Sequence, residues 1–242
     1  LCSWTAEDFY FSVDDAIKKG KPFIYILDSQ DSLSSEAEVS KFDETKKARR
    51  KGKEVAGSYG DAKAKLHSSN IRRLLGPLRD MGSILIVLNQ TRDSFSMFEQ
   101  STYSGGRALK FYATLQLWSS VVGKVERTIK GKKRQLGVKC KVKVRKNRLT
   151  GKERAVEIPI LHSSGIDDIG GMVDWLVLEG VWEKKGPKIV VEGLGPKFSG
   201  SRERVIECIE HDGKEDDLRE LVGMRWEEVE EASKPKRKKR YE

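Results

Sequence analysis

"STYSGGRALKFYATLQLW" (residues 101–118) sets Gly105, Gly106 and Arg107 directly ahead of a run of aliphatic and aromatic side chains. By composition the run reads as a strand, with Lys110 and Phe111 in its middle. The glycine pair leaves the backbone free to approach another molecule closely, and Arg107 adds a cation at that point. The reading is therefore a flexible basic loop ending against a rigid sheet.

Upstream, "PFIYILDSQDSL" supplies a short apolar run, Phe23 to Leu27, that ends at Asp28. Such a run reads as a fully buried strand delivering an acid at its carboxyl end, where ligands bind in open α/β sheets. Asp28 fits a residue that holds a magnesium-bound water, or equally a turn or capping residue. "SILIVLNQTRDSFSMFEQ" repeats the pattern, with Ile84 to Leu88 as a second buried strand leading to Gln90 and Arg92. Met97, Phe98 and Tyr103 follow among polar residues, suited to wedging between nucleotide bases or to tucking into the core. Between the strands, Ser34 to Tyr59 is polar, carries "KKARRKGK" and reads as a long basic loop. The next segment has Leu66, Ile71, Leu74, Leu75 and Leu78 at helical spacing, ended by Met81-Gly82. On that helix Lys65, Ser68 and Arg72 fall at i, i+3 and i+7, a face fit for phosphate contacts or for solvent.

Downstream, Leu136 to Arg145 alternates strictly, with Lys139, Lys141, Lys143 and Arg145 on one face and apolar residues on the other. The strand turns at Gly151 and returns over Val156 to Ile160. From residue 168 a small C-terminal α/β domain is expected, with helical spacing over 172–181, a later helix over 201–212, a closing segment "RELVGMRWEEVEEA" at 219–232, and then a basic, disordered tail over 231–242.

A formal charge of +10 and a pI near 9.4 favour a polyanionic partner, although dispersed lysines also serve solubility. With 37% hydrophobic and 35% charged residues, and no apolar run near the roughly 20 a spanning helix needs, a folded, soluble protein without a membrane partner is expected. Three widely spaced cysteines support neither a disulfide framework nor a zinc site and fit a reducing compartment, the cytoplasm. The chain opens "LCSWTAEDF", without an initiator Met or leader, and reads as starting inside something longer.

Taken together, "IYILDS", "ILIVLNQTR", "GGRALKFYA" and "RKNR" at 145–148 resemble the RecA family of DNA recombinases, as a phage-type or otherwise divergent member. The third string is the most specific, and the order and spacing of the four agree from about residue 20 to about 180. The resemblance implies an α/β fold: a RecA-type core over 1–167, with a mixed, mostly parallel sheet flanked by helices, and the small domain over 168–230. It implies an ATP-dependent, DNA-stimulated strand-exchange protein that uses Mg2+ and forms helical filaments on single-stranded DNA before pairing it with double-stranded DNA, with mediator or single-strand-binding proteins as further partners. Asp28 and Ser29 would position the magnesium, and Gln90 would sense the γ-phosphate and signal to a DNA loop over 91–106. Arg92, Met97, Phe98, Gly105, Gly106 and Arg107 would meet DNA in that loop. Residues 34–60 would form a first DNA loop, and Lys65, Ser68 and Arg72 the phosphate-contacting helix face. Lys110, Phe111, Lys146 and Arg148 would reach the neighbouring protomer and its nucleotide, Arg148 standing where lysine is typical.

The departures matter as much. A G-x-x-x-x-G-K-[ST] loop is absent; "GLGPKFSG" at 193–200 has neither its spacing nor the strand before and helix after it. The family's catalytic glutamate would lie upstream as well. The chain alone is therefore expected to be inactive in hydrolysis, as a fragment or one piece of a split recombinase. Two rival readings are a RecA-fold regulatory ATPase or pseudo-ATPase, and a basic single-stranded-DNA-binding module that works without nucleotide.

Overall fold

The computed structural model describes residues 4–53, 61–93, 101–103 and 107–234. Close contacts group the chain into two compact units, Leu1–Thr114 and Leu115–Glu242. The expected division at 167/168 falls inside the second unit.

In the first unit, α1 (Ala6–Lys18) starts where Thr5 and Asp8 cap each other reciprocally, each backbone N–H donating to the other's side chain at 3.1 Å. Its Phe9, Tyr10 and Val13 enter the core. β1 (Ile24–Leu27) leads through a 3-10 turn at Gln30–Ser32 into α2 (Glu36–Arg50). Then come α3 (Asp61–Asp80), β2 (Ile84–Val87), β3 (Thr91–Asp93), β4 (Ser101–Tyr103) and α4 (Arg107–Tyr112). Ile71, Leu74 and Leu78 of α3 pack against α1 and Leu27, as the spacing predicts.

In the first unit three expectations are corrected. The stretch read as a basic loop from Ser34 is largely the helix α2. It buries no residue, so no apolar period betrays it. A capping box between Ser35 and Glu38 starts it, acids fill its first turn, and Lys47, Arg49 and Arg50 meet the carbonyl end of its dipole. Second, Lys110 and Phe111 sit on the helix α4, and the strand begins only at Leu115. Leu109 and Tyr112, three apart, pack on the core while Lys110 and Phe111 face outward. Third, neither apolar strand is fully buried. β1 and β2 pair in parallel, Ile24 with Ile84 and Ile26 with Ile86. Tyr25, Leu27, Leu85 and Val87 face the helices, whereas the four isoleucines, 43–65% exposed, lie side by side on an open face.

The second unit is built on an antiparallel sheet of β5 (Leu115–Ile129), β6 (Lys132–Asn147), β7 (Ala155–Leu161) and β8 (Gly165–Ile166). The alternation predicted for residues 136–145 holds, with Lys139, Lys141, Lys143 and Arg145 exposed. Gly151, at φ 72°, serves the turn between β6 and β7. Next come α5 (Asp168–Leu178), the pair β9 (Glu183–Lys185) and β10 (Lys188–Val190), α6 (Arg202–His211) and α7 (Glu215–Ala232). Trp182, Phe198, Val205, Ile209 and Leu218 form the core of the helical part. Arg202 braces it, donating from Nε to Asp174 at 2.7 Å and from Nη2 to Asp167 at 3.2 Å. "GLGPKFSG" does have a strand before it, β10, and a helix after it, α6, contrary to expectation, with a 3-10 turn within it. It makes no phosphate bed, because Phe198 fills the core and a methyl added at Gly193 would meet Leu221.

The α/β class stands. β1–β2 is the parallel pair, and the other strand pairings among the described residues are antiparallel. Among those residues no helix is long and apolar enough to cross a membrane.

Candidate nucleotide and nucleic-acid site

Parallel pairing with Leu27 opposite Val87 brings the carboxyl ends of β1 and β2 to one edge of the sheet. Asp28 and Ser29 leave one strand there, and Leu88, Asn89 and Gln90 leave the other. Three hydrogen bonds lock the two exits. Leu88 N–H donates to Leu27 O at 2.9 Å, and Gln30 N–H donates to Leu88 O at 3.0 Å. Gln90 N–H donates to an Asp31 carboxylate oxygen at 2.6 Å. Asp31, which the sequence reading passed over, thus joins the turn after Asp28 to the segment that opens β3. The available signal was a second carboxylate three residues after the strand acid.

Asp28 is exposed at this edge, next to the partly buried Ser29. A carboxylate and a hydroxyl are the oxygen donors a hard divalent cation takes, so the pair fits magnesium, directly or through its waters. Among the described residues no group of three or more His, Cys, Asp or Glu side chains could hold a metal alone. The rest of the ion's shell would have to come from water and phosphate.

Beneath the edge the packing is polar. Lys63 Nζ donates to Gln30 O at 3.0 Å and also to Leu33 O. The Gln30 side chain is fully buried, with both amide atoms unpartnered. Four residues along α3 from Lys63, His67 is buried with Nδ1 2.7 Å from the Tyr10 hydroxyl and Nε2 unpartnered. Burial first, and Lys63 second, hold the imidazole down to about 4, against a weaker pull from Glu38. Burial pushes the Tyr10 phenol above its ordinary range. These buried groups were not foreseen, because a lone histidine and glutamine carry no periodic signal.

Of the residues singled out from the sequence, Lys65 and Arg72 are exposed and Ser68 half-buried on one face of α3, opposite Ile71, Leu74 and Leu78. Arg92 lies on β3, paired in register with Thr102 of β4, so the expected loop is partly a short antiparallel ribbon. Arg107 opens α4. Met97, Phe98, Gly105 and Gly106 lie outside the described residues. Lys110 and Phe111 are exposed in the first unit, while the half-buried Lys146 and exposed Arg148 belong to the second.

The family model for the RecA N-terminal domain matches residues 14–167, which takes in both strand ends, α3, β3, β4 and the whole of β6. Protein RecA of Acidothermus cellulolyticus is 31% identical over 191 residues, which is 78% of this chain and 51% of that protein. Protein RecA of Mycobacterium ulcerans is 30% identical over 207 residues, 84% of this chain and 55% of the other. Protein RecA of Brucella suis is 30% identical over 184 residues, covering 75% and 46%. The chain spans about half the length of the curated relatives it matches. With well over half of its residues inside one family model, and its strand-end acid and glutamine brought to one sheet edge, the chain belongs to the RecA family.

Proposed function

We propose that this chain carries the DNA-contacting and subunit-contacting part of an ATP-dependent strand-exchange protein that acts in DNA recombination and repair in the cytoplasm. The observation that carries the reading is the lock between Asp31 and the Gln90 backbone. It ties the edge where Asp28 and Ser29 would hold magnesium and ATP to the β3–β4 ribbon where DNA would be met. In this reading Gln90 senses the γ-phosphate, and its movement orders or releases the segment from Arg92 through Met97 and Phe98 to Gly105, Gly106 and Arg107. Lys110, Phe111, Lys146 and Arg148 reach the nucleotide of the next copy in a filament. The phosphate bed comes from polypeptide outside this sequence. Mediator and single-strand-binding proteins are the further partners of such a filament.

The test is single-stranded DNA binding by the working protein across a salt series, with and without ATP and magnesium, alongside its intact mass. Cooperative binding that requires ATP, from a mass above 27.4 kDa, supports the reading. Binding indifferent to ATP from a 27.4 kDa chain replaces it with the nucleotide-independent module.

A second expected result concerns α3. Lys65→Ala and Arg72→Ala, both exposed, leave folding unchanged and weaken binding equally for all sequences. Each lowers the slope of log affinity against log salt by about 0.7 on single strands. An unchanged slope in both variants, measured by fluorescence anisotropy, removes this helix face from the interface.

A further inference from the structure

Lys63 stands where the chain has little local reason to place a cation. It is the third residue of α3, at the end of the helix whose dipole disfavours positive charge. It also falls on the inward stripe of that helix. Lys63, His67, Ile71, Leu74 and Leu78 succeed one another at intervals of four, four, three and four, and all but Lys63 are buried. Half-buried at the head of this stripe, the Lys63 ammonium donates to two main-chain carbonyls, Gln30 O at 3.0 Å and Leu33 O. Its charge is felt along the stripe as well, being the second cause, after burial, of the lowered pKa of His67.

The two carbonyls bracket Asp31. The turn between them closes with backbone bonds that are both long, Ser32 N–H to Ser29 O at 3.2 Å and Leu33 N–H to Gln30 O at 3.3 Å. A 3-10 turn of three residues with bonds of that quality needs outside support to keep one shape. The support comes at its two ends. Gln30 is fully buried, and its N–H donates to Leu88 O at 3.0 Å; Leu33 is buried in the core of the first unit. Lys63 joins these two ends, and Asp31, carried between them, receives the Gln90 N–H at 2.6 Å.

We propose that Lys63 is a positioning residue for Gln90, acting through the turn: by bridging Gln30 O and Leu33 O it fixes the Asp31 carboxylate where the Gln90 N–H meets it. An ammonium suits this task because its three donors on one flexible stem take two carbonyls at once, which no apolar side chain at the same stripe position can do. Without it Gln30 O keeps the long bond from Leu33 N–H and Leu33 O loses its lysine donor, so the turn holds Asp31 less firmly and the lock to Gln90 opens part of the time. The consequence for nucleotide sensing rests on Gln90 being the γ-phosphate sensor of the proposed function, whereas the positioning itself does not.

Amide hydrogen exchange followed by NMR on the full chain tests the positioning in Lys63→Met, Lys63→Arg, Asp31→Ala and the Lys63→Met, Asp31→Ala double variant. Met keeps the apolar stem and the helix propensity, so exchange at the Leu74 and Leu78 amides should match the parent. Protection of the Gln90 N–H is expected to fall at least about tenfold in Asp31→Ala and at least about threefold in Lys63→Met, with no further loss in the double variant and recovery in Lys63→Arg. In the working protein with magnesium, the ATP concentration for half-maximal single-stranded DNA binding should rise at least about threefold in Lys63→Met, as the competent fraction falls, and return in Lys63→Arg. Gln90 protection unmoved by Lys63→Met, or losses that simply add in the double variant, would overturn the proposal. So would a loss shared by Leu74 and Leu78, which makes Lys63 a support of the helix only, or a raised ATP requirement with Gln90 protection intact, which makes it a direct phosphate contact. If the parent itself binds DNA without regard to ATP, the proposed function fails, and the exchange result alone decides for or against Lys63.

Discussion

Gly137→Ala is expected to destabilise the second unit by about 3 kcal/mol, at the upper end of the usual cost of overpacking. A Cβ at Gly137 would lie 2.2 Å from Ile160 O and 2.9 Å from Leu161 Cα. Both are backbone atoms of β7, held by register to β6, so no side chain can swing away to relieve the clash. The sheet must part where its third strand begins. Against this stands a gain of about 0.4–1 kcal/mol from a stiffer unfolded chain, too small to reverse the sign. Gly123→Ala is the matched control, because its new methyl meets only Lys139 Cβ, at 3.9 Å. Urea unfolding of the two variants should separate them by more than about 2 kcal/mol. Equal midpoints would mean that β6 and β7 are not packed as described.

The second large effect is on pH. In the folded first unit His67 is buried and neutral, its pKa lowered to about 4, whereas the unfolded chain protonates it near the ordinary 6.5. A lowered folded-state value means that the unfolded state binds the proton first as pH falls. The contribution is therefore complete above about 6.5 and is lost on the way down to about 4. At 1.36 kcal/mol per pH unit, the loss is roughly 2 kcal/mol by about pH 5 and about 3 by pH 4. Urea midpoints read from the first unit near pH 7 and pH 5 measure it. In His67→Gln the change should flatten by about that amount. A wild-type stability unmoved over this interval would refute the buried neutral imidazole.

Much of the fold was legible because α3 and β6 each carry a period that matches their burial. α2 was not, since a helix with no buried face has no period and shows itself only through Ser35 and Glu38 at its start. α4 was misread because six residues are too few to distinguish a helix from a strand when aromatic and aliphatic side chains dominate. The β1 and β2 runs were read as buried on both faces, as apolar parallel strands usually are. A sequence reports what a face is made of and not whether anything covers it, so the exposed isoleucines could only be found in the structure. At the site, Asp28 and Gln90 were legible as strand-end residues. Their joint through Asp31 was not, because it depends on the register between strands some 60 residues apart.

Arg127 of β5 stands directly opposite Arg134 of β6, and this like-charge pair makes the hairpin respond to ionic strength. Added salt screens the two guanidinium groups from each other, within a Debye length of about 8 Å at physiological strength, and so firms up the hairpin. The hairpin is therefore least settled in dilute solution, where nothing stands between the two cations but water.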